Sequence, residues 1–316
     1  MTISVPWQQR VGSQRDWVWR GWRTRYTYFR PSQTDNATPP VMLLHGFGAS
    51  IGHWRHNLEV LGQHHTVYAL DMLGFGASHK AATDYKIDLW VNQVYEFWRT
   101  FIRQPMVLVG NSIGSLICVA AAAAHPEMVK GIVMINLPDL SLEEEMTPPW
   151  LRPVVARIKA AVLSPIIVKS LFYVVRRPPV VRKWAGRAYA NPASITDELL
   201  EILTEPSLDQ GAAGAFSAFF KAMTSAEFGP HIKTVLPKLN IPMLLMWGRQ
   251  DRMIPPHLAS RFVDLNPNLE LVELDNAGHC PQDECPEEVN RILLEWLALK
   301  CIEPKDSPAS SLFIAN

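Results

Sequence analysis

Met106-Val-Leu-Val-Gly110-Asn111-Ser112-Ile113-Gly114-Ser115, continued by Leu116 to His125, is the stretch on which the fold turns. Its first four residues are uniformly apolar and end at a glycine, as in a strand covered on both faces, and the residues after Ser115 read as an apolar helix. The link between them is G-x-S-x-G. A turn this tight forces Ser112 into a strained backbone conformation costing on the order of 1 to 3 kcal/mol, and it tolerates only small neighbours at 110 and 114. The serine hydroxyl then stands above the sheet edge, where the amino end of the helix favours negative charge.

Outward from this unit the same rhythm recurs. Short apolar runs at Val41 to Leu44, Thr66 to Leu70, Gly131 to Ile135, Met243 to Trp247 and Leu269 to Leu274 predict further buried parallel strands. Helical patterns at His53 to Leu61, Ile87 to Ile102, Pro256 to Leu265 and Pro286 to Leu299 separate most of them. Such alternation predicts an α/β fold: a mostly parallel sheet with helices on both faces and sites at the carboxyl ends of its strands. Trp17 to Phe29 alternates and is aromatic-rich, which adds a two-stranded ribbon and brings the expected sheet to eight strands. Only residues 137–236 break the pattern, with helices and prolines but no strand-like run. They are expected to form a helical lid inserted after the sixth strand. The core then comprises residues 1–136 and 237–300, with a polar tail at 301–316.

Composition excludes several classes. Of 316 residues 48% are hydrophobic, and 30 Lys and Arg balance 30 Asp and Glu, so there is no field to draw in nucleic acid. Four cysteines give no disulfide framework, and the first residues lack the apolar stretch of a signal peptide, which together point to the cytoplasm. The run from Met106 to Ala124 approaches membrane-spanning length, but Gly110, Asn111, Ser112 and Gly114 interrupt it.

A serine hydroxyl is a poor nucleophile at neutral pH unless a base takes its proton and a third group orients that base. Both are present. Gly248-Arg-Gln-Asp251 follows one strand and Asn276-Ala-Gly-His279 the last, giving the chain order Ser112, Asp251, His279. Asp139, beyond the strand Gly131 to Ile135, is a second acid that could reach the same histidine, and Asp251 is preferred for its turn. Backbone N–H groups of Phe47, in His45-Gly46-Phe47-Gly48, and of Ile113 are the expected oxyanion hole. His45 is read as structural. Trp54 is a candidate substrate contact, with core packing as its default.

These motifs resemble the α/β-hydrolase-fold superfamily over Val41 to Leu299, including the turn Asp71-Met-Leu-Gly74-Phe-Gly76-Ala-Ser78. A serine at position 112 separates the chain from dehalogenases and epoxide hydrolases, which use a carboxylate there. Gly278-His279-Cys280-Pro-Gln-Asp283-Glu284-Cys285-Pro286, with Gly110-Asn-Ser-Ile-Gly114, is similar to the plastid and cyanobacterial group that includes pheophytinase and chlorophyll dephytylase. The resemblance implies Ser112 as nucleophile, His279 as base, Asp251 as orienting acid, no cofactor or metal, and a phytyl-type ester substrate. Ser115 departs from that group, which often has glycine. Two alternatives use the same residues: a carbon–carbon bond hydrolase of meta-cleavage products, and a ligand-binding homologue without turnover.

From Leu151 to Thr196 the lid has no Asp or Glu, while lysines and arginines are interleaved with apolar residues. Such a segment suits peripheral contact with an anionic membrane, thylakoid in the related group, or equally a lid packing one apolar face on the core. Cys280 and Cys285 flank the wrong spacing for zinc. His53, His56, His64 and His65 are expected to be exposed and uncoordinated.

Overall fold

A computed structural model of the chain describes residues 5–33, 38–139, 164–225 and 227–302. One eight-stranded sheet organises them: β1 (Arg15–Trp19), β2 (Trp22–Phe29), β3 (Val41–Leu44), β4 (Val67–Leu70), β5 (Met106–Asn111), β6 (Val129–Ile135), β7 (Met243–Gly248) and β8 (Leu269–Leu274), in the order β1-β2-β4-β3-β5-β6-β7-β8. β1 and β2 form the antiparallel ribbon, and β2 joins the sheet antiparallel to β4. All other pairings are parallel.

Alternate residues of the central strands face opposite cores. Met42, Leu44 and Leu108 enter one apolar cluster, while Val41, Leu43, Val107 and Val109 enter the other. Helices α1 (Ile87–Phe97) and α2 (Ile113–Ala124) cover the first face. At about 1.5 to 3 kcal/mol for each fully buried Val, Leu or Ile, this two-sided burial explains why the strands read as unbroken apolar runs.

Between β6 and β7 the described residues are helical: α3 (Pro165–Val175), α4 (Pro178–Ala188), α5 (Asp197–Thr204) and α6 (Ala212–Met223). Prolines at the first positions of α3 and α4 suit helix starts, and the Thr196 hydroxyl caps α5 by accepting from the Leu199 N–H. These helices fall within the segment 137–236 expected to be helical, although residues 140–163 lie outside the described part. After β7 come α7 (Leu258–Val263) and α8 (Pro286–Lys300), the latter closing the second face with Val289, Leu293, Trp296 and Leu297.

Two expectations are corrected. Trp54 is 0% exposed, within the second core beside Leu43, Leu58 and Val109, so it touches no space that a substrate could enter. His53 and His65 are buried rather than exposed: His65 Nδ1 bonds the Pro39 carbonyl at 3.0 Å, and His53 joins a polar network described below.

Candidate active site

The turn after β5 has the predicted strain, with Ser112 at φ 55° and ψ −116°. Two glycines make it possible. A Cβ on Gly110 would lie 2.2 Å from the Gly114 carbonyl carbon, and one on Gly114 would lie 2.2 Å from the Leu44 oxygen. Ser115, the departure from the related group, is wholly buried: its hydroxyl is 2.7 Å from the Gly110 carbonyl and accepts the Ile135 N–H at 3.0 Å, tying α2 to β5 and β6.

The ends of β7 and β8 bring Asp251 and His279 together. Asp251 Oδ2 accepts from His279 Nδ1 at 2.8 Å and from the Asn136 amide, while Oδ1 accepts the Met253 and Ile254 N–H groups at 2.6 and 2.9 Å. Burial raises the carboxyl's pKa, but His279, the Ile254 N–H and Asn136 outweigh it and hold the group below the usual carboxylate range. With Nδ1 spent on Asp251, His279 Nε2 makes no hydrogen bond among the described residues. Asp139 instead lies 3.8 Å from Lys233 Nζ.

Asn111, at the end of β5, donates to the His279 carbonyl at 2.9 Å, which fixes the histidine loop beside the serine turn. The Ser112 hydroxyl itself makes no hydrogen bond among the described residues. The loop carrying Phe47 lies against the same turn, since a Cβ on Gly46 would be 3.5 Å from Ser112 Cβ. The Phe47 and Ile113 N–H groups engage no other group among the described residues. That loop is braced from β4: Asp71 accepts the Ile51 and Ala77 N–H groups, each at 2.7 Å, and His45 Nε2 accepts the Met72 N–H at 3.1 Å. His45 Nδ1 is therefore the protonated nitrogen, bonding the Gly46 carbonyl at 2.8 Å. Burial pushes this histidine down to about 4, so it stays neutral and structural, as the sequence suggested.

Sequence reasoning missed three supports. Asn136, at φ 52° after β6, orients Asp251 and also reaches the Gly278 carbonyl at 3.3 Å. Glu284 accepts the Gly278 N–H at 2.8 Å with one oxygen and the Ala190 N–H at 2.6 Å with the other, while the His279 N–H donates to the Ala188 carbonyl at 2.6 Å. The end of α4 is thereby held against the histidine loop. Beneath it Tyr189 accepts from His53 Nε2 at 2.8 Å and donates to Asp283 at 2.7 Å, and Arg55 pairs with both Asp283 and Glu198. Burial lowers His53 to about 4.

Around Phe47, which is 41% exposed, rings accumulate: Phe219 stacks at 4.7 Å, with Phe75 and Phe220 each at 5.7 Å. Phe216 lies 4.5 Å from Phe220, and Phe172 of α3 lies 5.0 Å from Phe216. The wall thus runs from the expected oxyanion loop to α3. Two clefts, of about 220 and 410 Å³, are lined by other residues and do not include Ser112.

The chain belongs to the alpha/beta hydrolase fold family, whose model matches residues 39–286. It is 25% identical over 321 residues to the chloroplastic pheophytinase of Arabidopsis thaliana, covering 85% of this chain and 63% of that protein, so it spans under two thirds of that relative's length. It is 32% identical over 303 residues to the mouse 1-acylglycerol-3-phosphate O-acyltransferase ABHD5, covering 87% of this chain and 80% of that one. Among solved structures, a bacterial membrane phospholipase A matches at 25% identity and a TM-score of 0.73, covering 92% of this chain and 88% of the other. Hydrolase names recur among these relatives, and the class of the present chain is that of an α/β hydrolase.

Proposed function

We propose that the protein is a serine-dependent carboxylic ester hydrolase of lipophilic substrates, with a phytyl ester of a chlorophyll-type pigment as the specific substrate. The observation that supports it is the 2.8 Å bond from His279 Nδ1 to Asp251, which leaves Nε2 without a partner among the described residues, in a loop whose His279 carbonyl is bonded by Asn111, the neighbour of the strained Ser112. Ser112 Oγ attacks the ester carbon as His279 Nε2 takes its proton. The Phe47 and Ile113 N–H groups hold the oxyanion, each worth about 2.7 to 4 kcal/mol in the transition state. The ester C–O bond breaks and His279 returns the proton to the leaving alcohol. Water then attacks the acyl-serine, His279 accepts its proton, and the acid leaves as Ser112 Oγ is reprotonated. No step needs a metal or organic cofactor.

The pheophytinase similarity and the aromatic wall support the pigment ester. Planar rings meet such a wall in offset or edge-on arrangements worth about 0.5 to 1.5 kcal/mol each beyond area burial. The test is a panel of pheophytin, chlorophyll, acylglycerols and a chromogenic ester, scored for released alcohol, with Ser112→Ala as control. Release that persists in Ser112→Ala removes the serine mechanism, and acylglycerol cleavage without pigment cleavage removes the substrate. A second reading, ligand binding without turnover, draws on the unbonded Ser112 hydroxyl. Fluorophosphonate labelling of the native protein that is lost in Ser112→Ala rules it out.

A further inference from the structure

The outward side of α3 is apolar. Val168 and Phe172, one turn apart, are buried, and α3 packs against α6. Ile166 is 78% exposed, and Ile167, Leu171, Tyr173 and Val174 are each about half exposed around the same helix. Trp184 of α4 is also 50% exposed, with Arg187 stacked 5.0 Å from its ring. A water-facing helix ordinarily turns its charged side outward, and contiguous exposed apolar surface of this kind marks an interaction site.

Charge says what covers it. Residues 164–196 contain six lysines and arginines and no Asp or Glu. Arg182 is paired with Asp197 and Arg176 lies 4.7 Å over Tyr173, whereas Lys169, Arg177 and Lys183 make no ion pair among the described residues. Exposed isoleucine, valine and tyrosine ringed by cations complement the headgroup and upper acyl region of an anionic bilayer. Among the described residues no helix is long and apolar enough to cross a membrane.

We infer that α3 and α4 dock on an anionic lipid surface, with α3 lying in the interface. The inward side of the same helix carries Phe172, the first ring of the wall that leads to Phe47. A lipophilic ester can then pass from the bilayer along aromatic surface without crossing water. This entry route rests on the proposed ester hydrolysis, but docking does not, and its readout is independent of turnover.

The experiment is sedimentation of the full chain with vesicles of phosphatidylcholine alone or with about a third phosphatidylglycerol. Two variants accompany it: Ile166→Ser with Val174→Ser, and Lys169→Glu with Lys183→Glu. The expected result is binding to the anionic vesicles that weakens with salt, about fivefold loss of partitioning for each cation removed, and loss in the apolar variant. Turnover of a short, water-soluble ester stays at the native rate in both variants. Failure of the native chain to sediment overturns the inference, as does equal binding to both vesicle types. So does a concentration-dependent dimer dispersed by the apolar variant, which would make a second copy the occupant.

Discussion

Asp251→Asn is the sharpest test of the site. The asparagine carbonyl can keep the Met253 and Ile254 N–H groups, which hold Oδ1 at 2.6 and 2.9 Å. Its amide must then face His279 Nδ1 and the Asn136 amide, both of which donate to the carboxylate in the native chain. Donor against donor moves the ring proton to Nε2, the atom that must accept from Ser112. Wrong-tautomer losses of this kind run to about 10⁴ in kcat, or about 5.4 kcal/mol at 1.36 kcal/mol per decade. Loss of one charge-assisted hydrogen bond lowers stability by only about 1.5 to 3 kcal/mol, so the variant should remain folded. Kinetics on a chromogenic ester, with melting curves as the folding control, measure both. Asp139→Asn is the companion, expected to leave kcat unchanged because Asp139 faces Lys233. A native-like rate in Asp251→Asn, or an equal loss in Asp139→Asn, refutes the assignment.

Ser112→Gly relieves the backbone strain at φ 55° and should be about 1 kcal/mol more stable than Ser112→Ala in chemical denaturation; equal stability means the strain is negligible. Gly114→Ala drives a Cβ to 2.2 Å from the Leu44 oxygen. It should cost about 3 kcal/mol or more, or abolish soluble expression, and an unchanged melting temperature would contradict the packing. Stability should also fall as pH drops from 7 to 5. Burial brings His45 and His53 down to about 4, below the usual imidazole value near 6.5, so the unfolded chain binds more protons in that window. Each contributes a loss of about 2 kcal/mol at pH 5. Asp71, raised to about 6 by burial, acts oppositely because its folded form takes up the proton first, returning about 1 kcal/mol. Urea midpoints at the two pH values measure the sum, and His53→Gln should reduce the drop; an identical drop in that variant counts against buried neutral His53.

The central strands were legible in the sequence because two-sided burial leaves no polar residue to break the apolar runs, and β3 and β8 fall where those runs placed them. The turns that carry Ser112, Asp251 and His279 were legible because each follows such a run. Trp54 misled because an isolated aromatic in a connection carries no mark of whether it faces a core or a site, and it enters the second core. Asn136, Glu284 and the His53–Tyr189 pair were illegible for another reason. The Glu284–Ala190 and His53–Tyr189 bonds join residues 94 and 136 positions apart, and polar residues so scattered have no local pattern.

The clasp formed by Glu284 gives the cover a fixed edge. Where α4 ends, the Ala188 carbonyl accepts the His279 N–H, and the Ala190 N–H shares the Glu284 carboxylate with the Gly278 N–H. Peeling the roof back along this margin would drag the imidazole out of register with Asp251, so a breathing motion that admits a bulky guest while keeping the proton relay intact must pivot here and swing from the far end, where α3 begins.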